Sequence, residues 1–342
     1  MADREPITIP LIELDERGPI ALLDVAGERG EALRTIGERA YTSLGLRLGD
    51  AIGRAWLRRA GNPYRREIEA VASRLGGPGG VALNLSYEFA CTGQAGPDPC
   101  GRGARLLRVL DWRLPGLGAH VVVAQSRCTA GTYYNVTWPG SVGVLTAMAP
   151  GRFSAAIHQA PMRRHGLTKP VDELVNRVAV WRSSGLPPSH LLRQVFETCP
   201  DYAAARRKLI DTRLALPAIF LLAGTEPGQA CLIERLENRA AVQDGPGSWA
   251  NDWRTRDFET GDSGRGWSPR GHDNPGRRDS LHTVHGVHFD GFGWINPPVL
   301  NPDTRLAVRM NAATAELAVL GIEEERPATR EFSLPGKGLA AA

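Results

Sequence analysis

The chain has 342 residues, of which 42% are hydrophobic and 23% charged, and carries a formal net charge of +4. That length allows one large domain or two ordinary ones around a substantial core. The small positive excess is spread along the chain, which excludes a nucleic-acid-binding stripe, and no apolar run approaches the roughly 18 residues of a membrane span.

The first residues, Met-Ala-Asp-Arg-Glu-Pro, lack the basic and apolar regions of a secretory signal, so a cytoplasmic, reducing setting is expected. Residues 6–26 contain short apolar runs that predict strand or extended structure. Residues 28–60 read as a helix, with Leu33, Ile36, Ala40, Leu44, Leu48, Ile52, Ala55 and Trp56 three or four apart. Gly45, Gly49 and Gly53 form a small-residue stripe that predicts close packing on a flat neighbour. Gly61-Asn-Pro ends this helix, and a second is expected over 64–75, stopped by Gly76-Gly-Pro-Gly-Gly.

From Cys91 the texture changes to short strands, predicted at 105–112, 119–128, 132–138, 141–148 and 152–158. Helices return at 170–183 and 189–210, the latter with Ser189 as its N-cap. Strands follow at 217–223, 229–235 and 239–243. Residues 254–280 are rich in Arg, Asp, Gly, Ser and Pro and read as a long polar loop, a lid or a partly disordered segment. Residues 304–321 read as a hairpin, followed by a tail of small residues. This order of helices and strands suits two stacked antiparallel sheets with helices on both faces.

Five cysteines, at 91, 100, 128, 199 and 231, are odd in number and irregular in spacing, which argues against a disulfide framework. Cys91 stands where an apolar run gives way to small residues. A cysteine nucleophile acts as a thiolate and needs a nearby cation or base. Arg108 is a permanent cation. Asp111 lies three residues further, on the opposite pleat of an ideal strand, so a bulge or turn is needed to bring both to one site. If the Ala90–Cys91 bond is cut, thiol and α-amine belong to one residue, and the amine, with a pKa of about 8, serves as base. On these residues alone, a buried structural cysteine beside a surface Arg–Asp pair is the competing reading.

Tyr87-Glu88, Cys91-Thr92 and Arg108-Val-Leu-Asp111-Trp112 resemble the cleavage junction of the acid ceramidase and N-acylethanolamine acid amidase family. That family belongs to the N-terminal nucleophile (Ntn) hydrolases, with choloylglycine hydrolase and penicillin V acylase as more distant members. Gly143-Val-Leu-Thr146 with Pro150-Gly151-Arg-Phe153-Ser154 is similar to a family stretch. So are Pro217–Gly224 with Gly228–Ile233, Trp249-Ala-Asn251-Asp252, Arg277-Arg278 and Pro298-Val-Leu-Asn301. At 158–159 the chain has His-Gln where the family pattern has Asn-Glu, which removes a carboxylate.

The resemblance implies an α+β fold, the four-layer αββα Ntn sandwich. It implies self-cleavage between Ala90 and Cys91 into a helical piece, 1–90, and a catalytic piece, 91–342, associated as one structural domain. Cys91 would be the nucleophile and its freed amine the base. Arg108 and Asp111 would position that amine and the scissile group, Asn251 would donate to the oxyanion, and Arg277 would be a second cation. The backbone N–H after Cys91 or near Val136 stays open as the other oxyanion donor. The substrate implied is a small-molecule, linear N-acyl amide with an apolar acyl chain, hydrolysed through an acyl-thioester with no metal or organic cofactor. No nucleic-acid partner or stable membrane insertion is expected, and a homo-oligomer stays open. Two alternatives share the fold: an acyltransferase that makes amides from the same thioester, and a non-catalytic binding protein.

His282, His285 and His288 are spaced three apart, but Gly286 argues against a helix that would gather them, so they are read as solvated or core histidines rather than metal ligands. Cys128 and Cys231 are expected in the core. Trp112, Tyr133, Tyr134, Trp138 and Phe153 suit either an acyl pocket or the sheet core.

Overall fold

The computed structural model describes residues 6–260 and 273–334. The chain begins with a short strand, β1 (Leu11–Glu13), and four helices: α1 (Ile20–Val25), α2 (Gly27–Tyr41), α3 (Ser43–Arg59) and α4 (Arg65–Leu75). The apolar run at 20–25 is therefore helical, not extended. A short apolar run has no period of its own to tell the two apart, and Ala21, Leu22 and Leu23 are all buried.

The helix expected over 28–60 is broken at Thr42, whose φ is 60° and whose hydroxyl accepts from the Gly45 N–H to start α3. The buried face of α3 is also not the one its leucines suggest. Leu44, Leu48 and Ile52 are 79%, 61% and 49% exposed, while Leu46, Asp50, Gly53, Trp56 and Leu57 face inward. Asp50 decides this orientation, because its carboxylate accepts the backbone N–H groups of Gly79, Val81 and Ala82. A buried carboxylate is tolerable only with such donors. The glycine stripe packs closely on the turn at 81–85: a Cβ on Gly53 would lie 2.9 Å from Val81 Cγ1.

Strands follow: β2 (Ala90–Pro97), β3 (Ala104–Asp111), β4 (Val122–Cys128), β5 (Gly131–Thr137), β6 (Thr146–Ala149) and β7 (Phe153–Gln159). The strand expected over 141–148 shrinks to β6. Residues before it are held against the next helices instead, with Val144 N–H donating to Ser189 O. Three helices come next: α5 (Lys169–Arg182), α6 (Pro188–Thr198) and α7 (Tyr202–Asp211). Cys199-Pro-Asp splits the helix expected over 189–210, and Asp201 caps α7 by accepting from Ala204 N–H. Ser189 is not a cap; α6 starts from Pro187 with Pro188 in its first turn.

The remaining elements are β8 (Ala218–Ala223), β9 (Ala230–Arg235), β10 (Ala240–Asp244), β11 (Gly247–Trp249), α8 (Arg256–Thr260), α9 (Asn274–His282), β12 (Thr304–Asn311), β13 (Glu316–Glu323), β14 (Arg326–Pro327) and β15 (Phe332–Leu334). The polar segment read as a loop over 254–280 thus contains α8 and the start of α9. Its residues 261–272, like the small-residue tail from 335, lie outside the described residues.

The first sheet runs β1-β4-β5-β6-β7-β8-β9-β10, with β1 parallel to β4 and the other pairs antiparallel. The second runs β11-β2-β3-β12-β13-β14, with β15 also on β13, and is antiparallel throughout. Strands β2 and β3 stack on β7 and β8; α6 and α7 cover the first sheet, and α9 covers β2 and β11. This is the four-layer αββα sandwich. Its main core lies between the sheets, and a smaller cluster joins Leu107 and Val109 of β3 to Leu281 of α9. Trp112, Tyr133, Trp138 and Phe153 belong to the main core, as does Cys231, whereas Cys128 and Tyr134 are only partly buried.

Candidate active site

Strands β2 and β3 pair in regular register, Ala90 opposite Asp111, Cys91 opposite Leu110, and Gly93 opposite Arg108. Alternation along a strand puts Cys91 and Arg108 on one face and Asp111 on the other. The first face looks into the inter-sheet core. There Arg108 Nη2 donates to Cys91 Sγ at 3.2 Å and to Ile157 O at 3.0 Å, while Nη1 donates to Thr146 Oγ1. No bulge in β3 gathers Arg108 and Asp111 on one side. They approach Cys91 from opposite faces of the sheet, Arg108 at its sulfur and Asp111 through a relay of side chains.

That relay begins with β11. It runs antiparallel beside β2 with Trp249 opposite Gly93, so Asn251, two residues further, draws level with Cys91. Cys91 N–H donates to Asn251 Oδ1 at 2.7 Å, and Asn251 Nδ2 donates to the Gln159 carbonyl at 2.8 Å. Helix α9, capped by Asp273, brings Arg277 onto this face. Arg277 donates to Asn251 Oδ1 at 3.0 Å, to Asn274 Oδ1 at 2.7 Å and to Asp111 Oδ2 at 3.0 Å. Thr304 completes the set by donating to Asp111 Oδ1 at 2.8 Å. A slip in the β3–β12 register between Thr304 and Leu306 sets Thr304 opposite Asp111.

Cys91, Arg108, Asp111, Asn251 and Arg277 are all buried. Burial pushes the Cys91 thiol above its ordinary range, and Arg108 opposes that shift. His158 lies in the same inter-sheet layer. A Cβ on Gly93 would fall 2.9 Å from its Nε2, so glycine is required there. Its Nδ1 lies 3.2 Å from the Ala250 carbonyl, which fixes the proton on Nδ1 and leaves Nε2 as an acceptor. Burial, with the Arg108 charge, lowers its pKa to about 3, so the ring is neutral. Two surface depressions, about 440 Å³ beside Tyr134 and about 390 Å³ beside Trp249 and Arg278, do not include Cys91 in their walls. Cys91 is fully buried, so its sulfur is closed off from solvent.

No protein-family model matches the chain. Its sequence is 29% identical over 223 residues to a probable acid ceramidase of Caenorhabditis elegans, a match covering 56% of this chain and 52% of that protein. It is 25% identical over 192 residues to the acid ceramidase of Heterocephalus glaber, covering 51% and 47%. The chain spans about half the length of these curated relatives. Among solved structures, the Caenorhabditis elegans N-acylethanolamine-hydrolyzing acid amidase ortholog matches with a TM-score of 0.50 at 19% identity, over 72% of this chain and 100% of that one.

The chain is similar in sequence to acid ceramidases over about half of its length and has the Ntn-hydrolase fold.

The five residues picked out by sequence form one continuous hydrogen-bonded cluster around Cys91. Sequence reasoning missed Thr146, Asn274, Thr304 and the Ile157 carbonyl. Thr146 carried a signal, as a lone hydroxyl in an apolar strand, and so did Asn274, three residues before Arg277 on the same helix. Thr304 had none, because its partner is distant in sequence. The histidine trio stands apart: His282 ends α9, and its ring lies 6.1 Å from that of His285. Among the described residues no three His, Cys, Asp or Glu side chains gather into a metal-binding group.

Proposed function

We propose that this chain is a self-processing amidohydrolase that acts on linear N-acyl amides through Cys91. One observation carries the reading. The nitrogen and the sulfur of the same cysteine are each held separately, the nitrogen by Asn251 and the sulfur by Arg108. Any buried backbone N–H needs an acceptor, but a structural cysteine has no need of a guanidinium at its sulfur.

In the first step Cys91 Sγ attacks the Ala90 carbonyl. A C–S bond forms, the Ala90–Cys91 C–N bond breaks, and the thiol proton passes to the Cys91 nitrogen. Water then cleaves the thioester, which leaves a carboxylate on Ala90 and restores the thiol. The new α-amine, with a pKa of about 8, is a competent base at neutral pH. In the second reaction the amine takes the thiol proton as the sulfur attacks an amide and hands it to the departing nitrogen; water then cleaves the acyl-thioester, releasing a carboxylate and restoring the thiol. Asn251 donates to the oxyanion, and Arg108 favours the thiolate against the burial that disfavours it. The Asp111–Arg277 pair holds Asn251 in place. Acid ceramidase relatives support an N-acyl amide as substrate.

Contacts across the cut site support association of the two pieces. Arg193 donates to Glu67 at 2.7 Å, Tyr64 to Glu197 at 2.6 Å, and β1 pairs with β4. Intact-mass measurement of the wild type beside Cys91→Ala tests the proposal. Two pieces of about 10 and 27 kDa, in proportion to 37.0 kDa for the whole chain, are expected in the wild type alone. A wild type that stays in one piece and hydrolyses no amide sinks it. Amide formation from an added amine would move the reading to acyl transfer.

A further inference from the structure

Phe89 is fully buried, one residue before the bond that the proposed self-cleavage breaks. The β2–β3 register explains where it goes. Ala90 pairs with Asp111, so Phe89 draws level with Trp112 on the face that carries Cys91 and Leu110. Its ring lies 5.6 Å from that of Trp112 and 5.1 Å from that of Tyr87, and Trp112 lies 6.2 Å from Trp138. Trp138 Nε1 donates to the Leu117 carbonyl, but Trp112 Nε1 is buried without a partner among the described residues. Finished cores rarely leave such a donor unmet.

The sulfur that cuts the chain carries Phe89-Ala90 as its acyl group. An amide substrate must present its carbonyl to the same sulfur and the same oxyanion donor, so its acyl chain must leave in the direction that Ala90 and Phe89 take. We infer that the space Phe89 fills in the uncut chain is the acyl subsite, walled by Trp112 with Trp138 packed against that ring, and that it takes an aryl-terminated acyl chain of medium length. This rests on the amidohydrolase reading. Five atoms separate the Ala90 carbonyl carbon from the Phe89 ring, the spacing of a 6-phenylhexanoyl group. Cutting the bond makes Phe89-Ala90 a free chain end, able to swing out while the substrate enters.

The test uses cleaved wild-type enzyme and three 4-nitroanilides: acetyl, 6-phenylhexanoyl and hexadecanoyl. The 6-phenylhexanoyl anilide should have a kcat/KM about tenfold above either of the others. Trp112→Phe, which keeps a ring in the core, should narrow that preference. By calorimetry, 6-phenylhexanoate should bind the cleaved enzyme and not uncut Cys91→Ala, in which Phe89 still fills the space. A better acetyl or hexadecanoyl substrate, a preference unmoved by Trp112→Phe, or equal binding to the uncut variant overturns the subsite while leaving the amidohydrolase reading intact. Turnover of none of the three sinks that reading and the subsite with it.

Discussion

The backbone N–H of Cys91 donates to Asn251 Oδ1 at 2.7 Å, across 160 residues of sequence. The same amide side chain donates through Nδ2 to the Gln159 carbonyl, so its orientation is set at both ends. Its oxygen faces the Cys91 N–H, so the donor left for an oxyanion on the adjacent carbon is the second Nδ2 hydrogen. Asn251→Ala should lower kcat by about 10²–10³-fold with little change in KM. Steady-state kinetics, normalised to alkylatable Cys91, will read this. A fall confined to KM would contradict an oxyanion role.

Arg277 and Asp111 form an ion pair buried almost completely, with side-chain exposures of 1% and 0%. Arg277→Met takes the cation from a carboxylate that stays buried beside Thr304. Arg277→Met should destabilise by about 3–5 kcal/mol in urea unfolding. It should also loosen Asn251, so self-cleavage slows. Unchanged stability would show that the pair contributes nothing net to folding.

The two pieces should stay together after cleavage, because Arg193 of α6 bonds both Glu67 and Glu197 and lies 4.3 Å from the Tyr64 ring. Arg193→Met should let the pieces separate at lower urea than the wild type, as read by gel filtration of cleaved protein. If they separate at the same urea concentration, apolar helix packing dominates instead.

His158 and His190 are both held neutral by burial, each with a pKa lowered to about 3. Arg108 and Arg277 face the first, and Arg193 faces the second. The unfolded chain binds protons on these rings below about pH 6.5 while the folded chain does not. Their contribution to stability is therefore complete above that pH and lost as pH falls toward 3. The slope is up to about 1.4 kcal/mol per pH unit for each ring. Urea midpoints across this range should fall with acidity, and His190→Gln should flatten the dependence.

Gly93 has no room for a side chain, since a Cβ would lie 2.6 Å from Leu221 Cδ2 and 2.9 Å from His158 Nε2. Gly93→Ala should cost about 1–3 kcal/mol and slow self-cleavage by pushing β2 away from β7. Thermal unfolding and the rate of fragment appearance check both effects.

Much of the fold was legible because the strands advertise themselves. Alternating or short apolar runs bounded by Gly and Pro marked β3, β4, β5, β7, β8, β9 and the β12–β13 hairpin. The helix faces were harder. Leu44, Leu48 and Ile52 obey helical spacing yet face solvent, because Asp50 on the same helix is needed by the backbone at 79–82. Periodicity reports that a helix has an apolar stripe, not that the stripe is the buried one.

By itself the sequence determined that Arg108 and Asp111 share one strand, at a distance from Cys91 that a hairpin can close. The tertiary structure alone decided that Arg108 reaches the sulfur from one face while Asp111 acts from the other. It also decided that Asn251 and Arg277 meet at the Cys91 nitrogen. Those contacts span 160 residues to Asn251 and 166 from Asp111 to Arg277. Sheet register and helix packing set them, and neither is written in any local stretch of the chain.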